Sequence, residues 1–104
     1  MGFLDNKRRQ AHAKSMNWDM MAGVMLHGYE LGMAEEEGIE DLDQQGDRAL
    51  EVRDSVLDEI GYDHFVQALI DADYEMSTSN KDAVIEHAVQ TSGYRSARKR
   101  LFPS

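Results

Sequence analysis

The chain has 104 residues, 41% of them apolar and 30% charged, with a net charge of −9, one proline and no cysteine. This size and composition predict a single globular domain, and they exclude a disulfide framework, a cysteine-based zinc site and a disordered polyelectrolyte. No apolar leader region follows Lys7, Arg8 and Arg9, so the expected setting is the cytoplasm, with no membrane association.

Charge is unevenly placed. Residues 1–15 carry a net +3, residues 16–80 a net −15, and residues 81–104 a net +3. The ends are read as a basic N-terminal arm (1–15) and a basic C-terminal helix (94–104) of one helical domain (1–104). Residues 5–14 read as a leading helix with Asp5 as a cap, open to continuity with the segment after it.

"MNWDMMAGVMLHGYELGM", Met16 to Met33, holds eleven apolar residues in eighteen. At about 100° per residue it has almost no polar side, only a narrow edge at Asp19 and Glu30. A helix that is apolar all round is expected to be covered all round, by the rest of the chain or by a partner. Five methionines suit an adaptable surface. Gly28 and Gly32, four apart, would admit a close neighbour. The interface candidates are Trp18, Met21, Met25, Gly28, Tyr29 and Gly32.

Gly38 is expected to end this helix. From Asp47 to Ile60 the pattern is amphipathic, with Ala49, Leu50, Val56, Leu57 and Ile60 on one side. Ile39 and Leu42 extend the stripe backwards, which favours helix continuity through Gly46. Arg53 falls within that stripe and is the candidate buried charge. Gly61 suits a helix end.

Asp63 is expected to cap a helix with Phe65, Leu69, Ala72 and Met76 inward, beside Val66 and Ile70. Ser79 with Asp82 resembles a capping box before helix 81–91, which presents Val84, Ile85, Ala88 and Val89. A last basic helix follows Gly93, with Tyr94, Ala97 and Leu101 inward. No stretch alternates as a strand would. The predicted fold is therefore all-α, a small bundle of four to five helices around the Met-rich one.

Two acidic patterns suggest metals. Glu36, Glu37 and Glu40 with Glu51 and Asp54 read EExxE…ExxD. This resembles the signature of the MazG-type all-α nucleotide pyrophosphohydrolases. The resemblance implies that Glu37, Glu40, Glu51 and Asp54 hold magnesium against substrate phosphates. It needs a hairpin at Gly46, whereas the apolar stripe predicts one continuous helix. Asp71, Asp73, Glu75, Ser77, Ser79 and Asp82 are spaced like the ligands of an EF-hand, but Met76 and Asp82 replace its turn glycine and bidentate glutamate. His12, His27, His64 and His87 share no metal-ligand spacing. No metal or cofactor is expected.

Lys7, Arg8, Arg9, Arg95, Arg98, Lys99 and Arg100 form a candidate anion-binding set, and nucleic acid is one alternative partner. Neutralisation by the chain's own acidic middle is the competing expectation. The leading expectation is a non-enzymatic interaction module that binds a protein with a basic surface and self-associates. An accessory or inhibitor protein of phage or mobile-element type suits this composition. Magnesium-dependent phosphoanhydride hydrolysis is the enzymatic alternative.

Overall fold

The computed structural model describes residues 2–103, and among them six helices and no strand. They are α1 (Phe3–Ala13), α2 (Trp18–Glu36), α3 (Leu42–Ile60), α4 (Tyr62–Met76), α5 (Lys81–Thr91) and α6 (Tyr94–Leu101). The small all-α bundle is as the sequence predicts. The count exceeds the expected four to five because α1 and α2 are separate. The Asn17 side chain accepts a hydrogen bond from the Met20 N–H at 3.2 Å and starts α2 afresh.

Helix ends follow local chemistry, in places one or two residues from expectation. Asp41 caps α3 by accepting from the Gln44 N–H at 3.1 Å. Asn80, not Ser79, caps α5, through the Ala83 N–H at 3.3 Å. Helix α1 begins at Phe3, so Asp5 lies inside its first turn. Asp63 likewise lies inside the first turn of α4, because Gly61 alone joins α3 to α4. Gly61 takes φ +93°, a conformation that a side chain disfavours, and this lets two helices meet across one residue. Helix α3 runs unbroken through Gly46.

The core lies where α2, α3, α4 and α5 meet, and α6 closes it against α3 and α5. Phe65 and Leu69 of α4, Leu26 of α2, Val52 and Val56 of α3, and Tyr94 of α6 are its largest fully buried apolar side chains apart from Val84 and Val89 of α5. The α5 stripe is as predicted. On α3, Val52 points inward, and Leu50, expected inward, is 42% exposed. Met76 and Leu101 are also exposed rather than inward. Helix α1 is no free arm. It packs on α4, where Arg9 lies over the Tyr74 ring and His12 sits between the rings of Trp18 and Tyr74.

Helix α2 departs most from expectation. Its buried row is Trp18, Ala22, Leu26, Glu30 and Ala34, spaced four apart. Met21, Met25 and Tyr29 beside it are half-buried against the core. Met20 is 59% and Val24 61% exposed, and nothing outside their own helix comes within 4 Å of a Cβ built on Gly28 or Gly32. The helix is covered on one side and open on the other. The two alanines let its neighbours approach that one side closely, and among the described residues no other helix covers Met20 and Val24 on the opposite flank.

Candidate functional site

The open flank of α2 is an uncharged strip of Met20, Val24, Gly28, Leu31 and Gly32. On one side it falls into a cleft of about 460 Å³ against α3, lined by Met20, Gly23, Val24, His27, Leu50, Arg53 and Tyr62. On the other it falls into a cleft of about 380 Å³ against α5, lined by residues including Met25, Tyr29 and Ile85. Val24 borders both clefts.

The α3 cleft has a fixed floor. The Arg53 guanidinium donates to the Gly23 carbonyl at 3.1 Å and pairs with Asp54 at 2.9 Å. The Tyr62 hydroxyl donates to the Asp19 carbonyl. Arg53 therefore ties α3 to the backbone of α2 while remaining half-buried, with no carboxylate from another helix against it. His27 lines the same cleft, and its Nδ1 is shielded from water with no hydrogen-bond partner in the chain.

The borders of the strip are acidic. Asp43, Asp47 and Asp54 lie on α3 one row further out than Leu50, and all three are exposed. Asp82 and Glu86 line the cleft on the α5 side. Glu86 is bridged to Arg95.

Of the six interface candidates, Met25, Gly28, Tyr29 and Gly32 come together along the α5 cleft. Trp18 is buried in the core, where its indole N–H donates to the His12 carbonyl at 3.1 Å. Met21 is half-buried and packs on the core. Sequence reasoning missed Met20, Val24, Leu50 and Tyr62. Only the row spaced four apart, with its Trp and two Ala, could have indicated which side of α2 faces inward.

The deeply buried charge is Glu30, not Arg53. Glu30 is 1% exposed although the sequence placed it on a polar edge. It accepts from the Tyr94 hydroxyl at 2.7 Å and from Arg98 Nε at 2.9 and 3.0 Å. Arg98 reaches on to Glu37 at 3.2 Å, and Glu37 to Arg48 at 3.5 Å. The network links α2, α3 and α6. Burial pushes the Tyr94 phenol well above its usual range, and the Glu30 carboxylate adds to the rise. Burial by itself would lower Arg98, but hydrogen bonds and charge from Glu30 and Glu37 outweigh it and raise it.

Of the other members of the basic set, Arg9, Arg95 and Arg100 are dispersed and engaged. Arg9 pairs with Asp5 at 3.3 Å and Glu75 at 3.6 Å. Arg100 pairs with Glu59 at 2.8 Å. Arg8 and Lys99 are exposed, as is Lys7.

The two acidic motifs do not assemble. Because α3 is continuous through Gly46, the hairpin that would bring Glu37 and Glu40 to Glu51 and Asp54 is not formed. Asp71, Asp73 and Glu75 lie on α4 itself, not in a loop, and Asp73 is taken by Lys81 at 2.7 Å and His12 at 3.0 Å. Among the described residues, no three acidic or histidine side chains stand where they could hold a metal ion together. No described helix is long and apolar enough to cross a membrane. Comparison of the chain with family models, curated proteins and solved structures finds no match.

Proposed function

We propose that this chain is a non-enzymatic interaction module of the cytoplasm, and that the open flank of α2 is its docking face for a protein partner. The observation that carries the reading is the uncharged strip from Met20 to Gly32, open to solvent between two clefts. Contiguous exposed apolar surface of this kind marks interaction sites on monomers. Burial of the part of Met20, Val24 and Leu50 that is still exposed, about half of each side chain, would contribute about 1 kcal/mol each. Gly28 and Gly32 add support. They cost α2 helix propensity, and a Cβ at either would meet nothing within 4 Å, which leaves room for a close approach from outside.

The chain's net charge of −9 favours a partner with a basic surface and would speed their encounter. Nucleic-acid-handling proteins have such surfaces. An acidic accessory or inhibitor protein, of the kind phage and mobile elements use, would act by occupying them. A second copy of the chain is the other occupant the strip admits.

Site-specific photo-crosslinking in native lysate tests the reading. A crosslinker at position 24 is expected to yield a discrete adduct that one at exposed position 99 does not. With the crosslinker kept at position 24, the double substitution Met20→Ser and Leu50→Ser, with helical content unchanged by circular dichroism, should abolish it. Equal adducts from both positions would refute the docking face.

A further inference from the structure

Building on that docking face, we infer that the segment it receives is a basic amphipathic helix, laid along α2, rather than a second copy of this chain. Shape and charge each contribute. The strip is linear and follows a helix of 19 residues, about 28 Å long at 1.5 Å per residue. Gly28 and Gly32 remove side chains from the middle of the C-terminal half, so the axis of a partner helix can come close there. Met20, Val24 and Leu50 stand out at the other end, where they would enter the apolar stripe of such a helix.

The flanks then set the charge of the partner. Along the α3 side run Asp43, Asp47 and Asp54, and along the α5 side Asp82 and Glu86. The two basic residues lining the clefts are engaged by carboxylates, Arg53 by Asp54 and Lys81 by Asp73, and Glu86 is engaged by Arg95, so Asp43, Asp47 and Asp82 are the border carboxylates with no ion pair among the described residues. A helix seated between these borders therefore meets negative charge on both sides of its apolar stripe. Lysine or arginine on both flanks of that stripe satisfies them. A second copy does the reverse. It would bring an uncharged strip with acidic borders against the same arrangement, between molecules that each carry −9.

Fluorescence anisotropy with the full chain and three labelled 18-residue peptides tests this. The first has leucine at helical spacing on one side and lysine elsewhere. The second replaces every lysine by glutamate. The third scrambles the first so that no apolar side forms. The first peptide is expected to bind at least tenfold tighter than the other two. Met20→Ser with Val24→Ser should weaken it at least tenfold. Asp47→Asn with Asp82→Asn should weaken it at least threefold at low salt and less at high salt. All four positions are exposed, and circular dichroism checks that each variant keeps its helical content.

Equal binding of the scrambled peptide would overturn the inference in favour of charge alone, and equal binding of the glutamate peptide in favour of apolar contact alone. No binding of the first peptide would overturn it outright. So would a dimer, seen by light scattering, that the Met20→Ser and Val24→Ser double variant dissociates. Failure of the peptide series while position 24 still crosslinks specifically would leave the docking face standing without its helix. Failure of both would remove the docking face itself.

Discussion

Glu30 is the residue on which most of the architecture depends. Its carboxylate sits out of water and is held by Tyr94 and Arg98, one turn apart on α6. Breaking a buried pair by removing one member leaves an uncompensated charge, at a cost of about 3–5 kcal/mol. Glu30→Ala is therefore expected to lower unfolding free energy by about that amount in a urea titration. A loss below about 1 kcal/mol would show that Arg98 finds another partner. Tyr94 gives a second, pH-dependent handle. Its folded-state pKa is raised, so the folded chain retains a proton that the unfolded chain releases. That contribution is full below about pH 10, the ordinary phenol value, and declines above it by up to about 1.4 kcal/mol per pH unit. Tyr94→Phe should be less stable by about 1–2 kcal/mol near neutrality, from the lost hydrogen bond. The gap between wild type and Tyr94→Phe should then narrow by about 1.4 kcal/mol at pH 11, by denaturant titration at each pH. A constant gap would mean that the phenol ionises freely in the folded chain.

At the scale of elements, α2 carries the functional argument, and α3 decides that no hairpin forms at Gly46. Helix α3 runs unbroken through Gly46, and its buried row, Ala49, Val52, Val56 and Leu57, lies wholly on the C-terminal side of that glycine. Its acidic residues are thereby strung along a rod rather than gathered around an ion. Helix α2 keeps two glycines on its exposed side at a cost to its own stability. Substituting alanine at Gly28 and Gly32 meets no steric obstacle, since nothing approaches within 4 Å. Each change should raise stability by up to about 1 kcal/mol, as measured by thermal or urea unfolding. The same changes should weaken partner binding if a helix packs closely there. Destabilisation by either alanine would mean that α2 is packed on its outer side in solution.

The whole molecule is extended, 49 × 25 × 18 Å, with a radius of gyration of 14.7 Å. A compact domain of this length would measure about 13 Å. Elongation is what leaves α2 uncovered along one flank. The charge balance acts at this scale too. The basic ends fold back on acidic partners, Arg9 onto α4 and Arg98 and Arg100 onto α2 and α3, so a long-range acidic field remains. The chain is accordingly expected to produce no mobility shift with duplex DNA at 50 mM salt, where phosphate contacts are strongest. A shift at that salt that disappears at 200 mM would restore the basic ends as a phosphate site.

Much of this was legible in the sequence, for reasons of short range. Gly38, Gly61 and Gly93 take positive φ because helix ends need a residue without a Cβ, and a helix end can be read from its neighbours. The inward rows of α4 and α5 follow from spacing on a helix, and a nearly proline-free chain with no alternation leaves only an all-α fold. What the sequence by itself could not decide was which side of α2 faces in. Hydropathy rates Met20, Val24, Leu26 and Met25 alike, and it rates Glu30 as polar. Burial of Glu30 was decided by α6, more than sixty residues away, which brings a hydroxyl and a guanidinium to the carboxylate. Once that pairing fixes the rotation of α2, the Met20 and Val24 flank has to face outward. Composition and local pattern determine which segments are helices. Only the contacts between distant helices determine how each is turned, and so which surface is left for a partner.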